Sequence, residues 1–108
     1  MQIKESDWKK FRKKIANWQE RYMERLTEEY VQILQSDKPA SAKFWELEKR
    51  IKKDKKSPGV LIEMRRSTAI ENIVILVLDG VITLDELNDF SDDLQETVKS
   101  LLEIYKNI

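Results

Sequence analysis

The residues of this 108-residue chain that could do chemistry are carboxylates and amines, because it contains neither histidine nor cysteine. That removes Ser-His and Cys-His nucleophile pairs, the commonest general base, thiolate chemistry and zinc–sulfur sites. Gly59 and Gly80 are the only glycines, so there is no loop of the kind that cradles phosphates. Four groups of residues remain. Asp85, Glu86, Asp89, Asp92, Asp93 and Glu96 form an acidic run. On a helix, most of these acids share a solvent face, where they could ligate a hard cation or dock a basic protein. The helix dipole already stabilises acids in that position, so no metal or cofactor is assigned. Lys49, Arg50, Lys52, Lys53, Lys55 and Lys56 form a basic run that could meet phosphates or an acidic partner. A second basic run is Lys9, Lys10, Arg12, Lys13 and Lys14, interleaved with Trp8, Phe11, Ile15 and Trp18. These aromatics belong to a longer apolar stripe, which assigns them to the core. Trp45 lies about 100–130° off the Phe44–Leu47–Ile51 stripe, beside Lys49 and Lys52, and suits an interface anchor. The candidate interaction surface is therefore Trp45, Lys49, Lys52, Lys53, Lys55 and Lys56, with Asp85, Asp89, Asp92 and Asp93. No catalytic residue is assigned.

The segment Ile73–Leu87, IVILVLDGVITLDEL, admits three readings. Asp79-Gly80-Val81-Ile82-Thr83 resembles the first motif of the haloacid dehalogenase-like phosphatases, an apolar strand followed by D-x-D-G-V-[IL]-T. The resemblance implies a nucleophilic aspartate at position 77, where this chain has Val77, which cannot form a phospho-aspartate. In a second frame the segment matches the latter half of an EF-hand loop, with Gly80 at the turn and Glu86 at the bidentate position. Its first two ligand positions would then be Ile75 and Val77, which offer no oxygen. The third reading is a buried helix stopped by Gly80 in the left-handed conformation, then a capping box formed by Thr83 and Glu86. It accounts for every residue. The β-branched residues Ile73, Val74, Ile75 and Val77 favour a strand. Against that, the helical period begins ten residues upstream and no other segment offers a partner strand.

The elements that position these residues follow from apolar spacing. Trp8, Phe11, Ile15, Trp18, Tyr22, Leu26, Tyr30 and Ile33 recur at three and four, after Ser6 or Asp7 as N-cap. This predicts a helix over 7–36, about 45 Å long, with one end that projects or pairs with a second copy. Pro39 breaks the pattern and Ser41 can cap a helix over 41–56, with Phe44, Leu47 and Ile51 on its core face. After Ser57-Pro58-Gly59, the spacing of Leu61, Met64, Ile70, Ile73, Val74, Val77 and Leu78 predicts a helix over 59–79. Leu84, Leu87, Phe90, Leu94, Val98, Leu101 and Tyr105 predict the last, over 83–107. The expected fold is all-α, a single domain of four helices over 1–108 with a long N-terminal helix.

Charge divides the chain. Residues 1–66 hold 18 Lys/Arg against 11 Asp/Glu, and residues 67–108 hold two against nine. Such a split serves packing of one half on the other, self-association, or separate acidic and basic partners. The longest apolar run, Ile73–Leu78, is too short to span a bilayer, and no apolar signal core opens the chain. With no cysteine, the expectation is a soluble cytoplasmic protein. The expected function is non-enzymatic: a protein–protein interaction or regulatory module whose partner is another protein or a second copy in a homodimer. The alternative is a nucleic-acid-associated accessory protein using the basic N-terminal half, although no helix-turn-helix, zinc-finger or RNA-recognition signature accompanies it.

Overall fold

A computed structural model describes residues 2–107, and among them every regular element is helical. The helices are α1 (Glu5–Leu34), α2 (Ala40–Asp54), α3 (Ala69–Leu78) and α4 (Asp92–Lys106), with single 3-10 turns at Arg66–Thr68 and Leu84–Leu87. The long first helix is present at 30 residues. Its apolar stripe does two jobs. Trp8, Phe11, Ile15 and Trp18 enter the main core, where they meet Ile73, Val74 and Leu76 of α3 and Leu94, Val98 and Leu102 of α4. The second half of α1 runs beyond that core and carries α2 alongside it as a hairpin arm. The molecule measures 52 × 31 × 22 Å, so the arm makes it elongated.

The start of α1 departs from expectation. The helix begins at Glu5 with no side-chain cap. Asp7 instead lies inside the core at 2% exposure and serves a different helix. Its carboxylate accepts from the Ser91 backbone N–H at 2.9 Å and from the Ser91 hydroxyl at 2.6 Å. Ser91 Oγ in turn accepts from Leu94 N–H at 3.2 Å, capping α4. One carboxylate thus fixes where α4 starts.

That contact also explains why the expected helix over 83–107 is broken. The Thr83/Glu86 capping box forms, but it closes only the 3-10 turn Leu84–Leu87. Asn88, Asp89 and Ser91 follow, residue types whose short polar side chains compete with helical backbone bonds. The chain re-enters helix at Asp92. As a result Leu102, rather than Tyr105, completes the buried stripe, and Leu84 and Tyr105 are exposed.

The expected helix over 59–79 is also half its predicted length. Val60 and Leu61 N–H groups donate to Ser57 C=O, closing the turn that leaves α2. Residues 61–65 then run without helical structure, Ile62 and Met64 packing on the core while Leu61, Glu63 and Arg65 are exposed. This alternation is that of an extended chain. Extended backbone covers about 3.3 Å per residue against 1.5 Å in a helix, which suits a segment returning from the arm to the core. Ser67 and Thr68 precede α3, and helical spacing upstream of them is coincidental.

The end of α3 is as expected. Gly80 is the one described residue in the left-handed region, at φ +74°. Gly80 N–H donates to Val77 C=O at 3.1 Å and Val81 N–H to Leu76 C=O at 2.9 Å, the paired bonds of a Schellman motif. Val81 and Ile82 fold back into the core.

Candidate functional site

The 15-residue helix α2 contributes no apolar side chain to the buried core; its single buried residue is Asp54. Its inner face is held to α1 by polar contacts. Tyr30 donates its hydroxyl to Asp54 at 2.5 Å, and Arg50 donates to Glu29 at 2.9 Å while stacking 5.7 Å from the Tyr30 ring. Burial, then the Asp54 carboxylate, pushes the Tyr30 hydroxyl up to about 12. The hydrogen bond to Glu29 raises Arg50 above its ordinary value.

This orientation reverses the expected one. The Phe44–Leu47–Ile51 stripe does not face the core: Phe44 and Trp45 are each 63% exposed, Ile51 is exposed and only Leu47 is half-buried. The inner face is set instead by Arg50 and Asp54, whose partners Glu29 and Tyr30 lie on α1, so the apolar stripe turns outward. Phe44 and Trp45 pack edge to face with centroids 5.0 Å apart. Phe44, Leu47, Glu48, Ile51, Lys52 and Lys55 line a shallow groove of about 430 Å³.

The basic run is divided by the helix. Lys52 and Lys55 rim the apolar groove. Lys53 and Lys56 line a separate cleft of about 550 Å³ between α1 and α2. Lys49 is exposed and lines neither. Among the described residues none of these five lysines has a carboxylate within ion-pair distance.

The acidic residues meet a different fate. Asp85 sits in the 3-10 turn, Asp89 in the break, and Asp92 and Asp93 in the first turn of α4, so they do not share one helical face. Asp89 pairs with Lys14 at 3.0 Å, and Lys10 donates to its backbone carbonyl. Asp93 pairs with Lys4 at 2.8 Å, and Glu86 pairs with Arg21. The hydrogen bonds from Lys14 and Lys4 hold Asp89 and Asp93 below the usual carboxylate range. Among the described residues no three His, Cys, Asp or Glu side chains come together as a metal site. The acidic end of the chain is thus partly neutralised by α1, whereas the α2 lysines are not. Of the groove's lining, Phe44 is the residue that Trp45 packs against, and Asp85, Asp89, Asp92 and Asp93 lie apart from the groove.

Reading the sequence alone missed Tyr22, Asp54 and Arg25 as members of a shared cleft. Asp54 among lysines at a helix end was the available signal, since a lone acid there opposes the dipole. No family model, characterised protein or solved structure matches this chain. No described helix is long and apolar enough to cross a membrane.

Proposed function

We propose that the protein is a non-enzymatic interaction module of the cytoplasm whose α2 outer face docks an acidic amphipathic segment of another protein. The single observation that carries this is an aromatic pair, Phe44 and Trp45, exposed beside unpaired lysines on a helix fixed from behind by Tyr30 and Glu29. An apolar anchor ringed by free charge is the arrangement of an interface hot spot. Lys52 and Lys55 would meet acids flanking the partner's apolar residues, giving orientation and encounter rate.

Two competing occupants fit less well. A second copy presented face to face would set Lys52 and Lys55 near their own counterparts. For a nucleic acid, the first basic run has Lys10 and Lys14 committed to Asp89.

The test is anisotropy of a labelled synthetic peptide, helical, with leucines at i, i+3 and i+4 and glutamates between. Saturable binding that weakens with salt, and by about tenfold or more in Phe44→Ala and Trp45→Ala, supports the reading. Binding of a single-stranded oligonucleotide in place of the peptide would transfer the surface to the alternative reading. A dimer in light scattering that dissociates on Phe44→Ala would replace the foreign partner with a second copy.

A further inference from the structure

The cleft between α1 and α2 stands apart from the docking face and has its own electrostatics. Its lining carries four cations, Arg25, Arg50, Lys53 and Lys56, and three carboxylates, Glu29, Asp54 and Asp79. Each carboxylate accepts a hydrogen bond, and Arg50 alone stands against two of them, Glu29 and, at 3.6 Å, Asp54. Glu29 accepts from Arg50, Asp54 from Tyr30, and Asp79 from the Ser57 hydroxyl at 2.9 Å. The cations are not matched in the same way. Arg25 donates to the Gly80 carbonyl at 2.8 Å and lies over the Tyr22 ring at 5.2 Å, neither of which neutralises it. Lys53 and Lys56 have no carboxylate partner among the described residues. Arg50 keeps a buried Nε with no hydrogen-bond partner. Arg25, Lys53 and Lys56 therefore border one concavity with no carboxylate in ion-pair range among the described residues, and the lining as a whole is net positive by one charge, four cations against three carboxylates.

We propose that this cleft is a binding site for a small phosphorylated molecule, held by Arg25, Lys53 and Lys56. Several cations around one concavity suit the multiple charges and acceptor oxygens of a phosphate or diphosphate better than a single carboxylate. The volume, about 550 Å³, exceeds that of the anion alone. Tyr22 and Leu26 supply apolar wall for the rest of the molecule. The site spans both helices of the arm, so its occupant would tie α2 to α1 from the side opposite the docking groove. Because it uses Lys53 and Lys56 and not Phe44, Trp45, Lys52 or Lys55, it stands or falls separately from the docking face.

The experiment is isothermal titration calorimetry with sodium pyrophosphate at fixed ionic strength, with a single-stranded oligonucleotide titrated in parallel. Saturable one-site binding of pyrophosphate is expected. Affinity should fall about tenfold or more in Lys53→Met/Lys56→Met, two exposed changes that leave the fold intact. It should be retained in Lys9→Met/Lys13→Met, which removes the same charge more than three helical turns from Arg25. Absence of saturable binding overturns the proposal, as does equal loss in the two double variants, which would mark general charge attraction. Oligonucleotide binding without pyrophosphate binding also overturns it, assigning the cations to a nucleic-acid backbone.

Discussion

Asp7 is the residue on which the join between the two ends of the chain depends. Buried and bonded twice to Ser91, it holds the start of α4 against α1. Replacing it with alanine leaves the partly buried Ser91 N–H without its acceptor and should cost about 1–3 kcal/mol in urea unfolding. A double cycle with Ser91→Ala should show coupling, because removing Ser91 first removes part of what Asp7 does. Tyr30 carries the opposite kind of signal, at alkaline pH. Its hydroxyl is raised from 10.0 to about 12 in the folded protein, so folding favours its protonated form. Stability from this group is present below pH 10 and is lost as pH rises through about 12. A spectrophotometric titration should find a tyrosine ionising near 12, and Asp54→Asn should move that ionisation down. The two glycines act for different reasons. A Cβ at Gly80 meets nothing within 4 Å, so Gly80→Val should cost about 1 kcal/mol or more through its φ of +74° alone. At Gly59 a Cβ would lie 2.3 Å from the Tyr22 ring, so Gly59→Ala should cost about 1–3 kcal/mol by displacing that ring. Thermal melts of the two variants check both figures.

At the scale of elements, legibility followed how local the determinants were. The α1 stripe and the Gly80 stop are set by residues within a few positions of one another, and both are as the spacing predicts. The breaks at 61–65 and 88–91 are set by distant events: the return of the chain from the arm, and Asp7 reaching Ser91 across the fold. Spacing alone could not distinguish Leu61 and Met64 on a helix from Ile62 and Met64 on an extended chain, since both patterns place apolar residues there. The Thr83/Glu86 box was visible, but not the length of what it caps. For α2 the difficulty was of another kind. A helix with Phe44, Leu47 and Ile51 in line looks like a core helix, and Trp45 looked like the exception. Polar anchors that are themselves unremarkable in sequence, Tyr30 with Asp54 and Glu29 with Arg50, decide which face turns inward. Consequently Phe44→Ala and Trp45→Ala should change folding stability by no more than about 0.5 kcal/mol, as surface substitutions do. A core helix would lose several times that, so chemical denaturation distinguishes the two arrangements.

Across the whole molecule, the charge split visible in the sequence resolves into two unequal parts. The acidic end closes on α1 and the residue before it through Lys4–Asp93, Lys14–Asp89 and Arg21–Glu86, within one chain. These pairs lie at the surface and are screened by solvent, so raising salt should lower the melting temperature only slightly. The lysines of α2 have no such closure, and the arm presents them together with the only tryptophan outside the core. Trp8 and Trp18 are buried at 7% and 5% exposure, against 63% for Trp45. A shift in tryptophan emission on docking therefore reports on Trp45, because Trp8 and Trp18 are already buried. The decisive measurement is the emission shift of the protein and of its Trp45→Phe variant on adding the acidic amphipathic peptide. The account predicts a saturable blue shift in the parent that high salt reverses and that is absent from Trp45→Phe. An unshifted parent, or an equal shift in both proteins, would contradict a docking site on the outer face of α2.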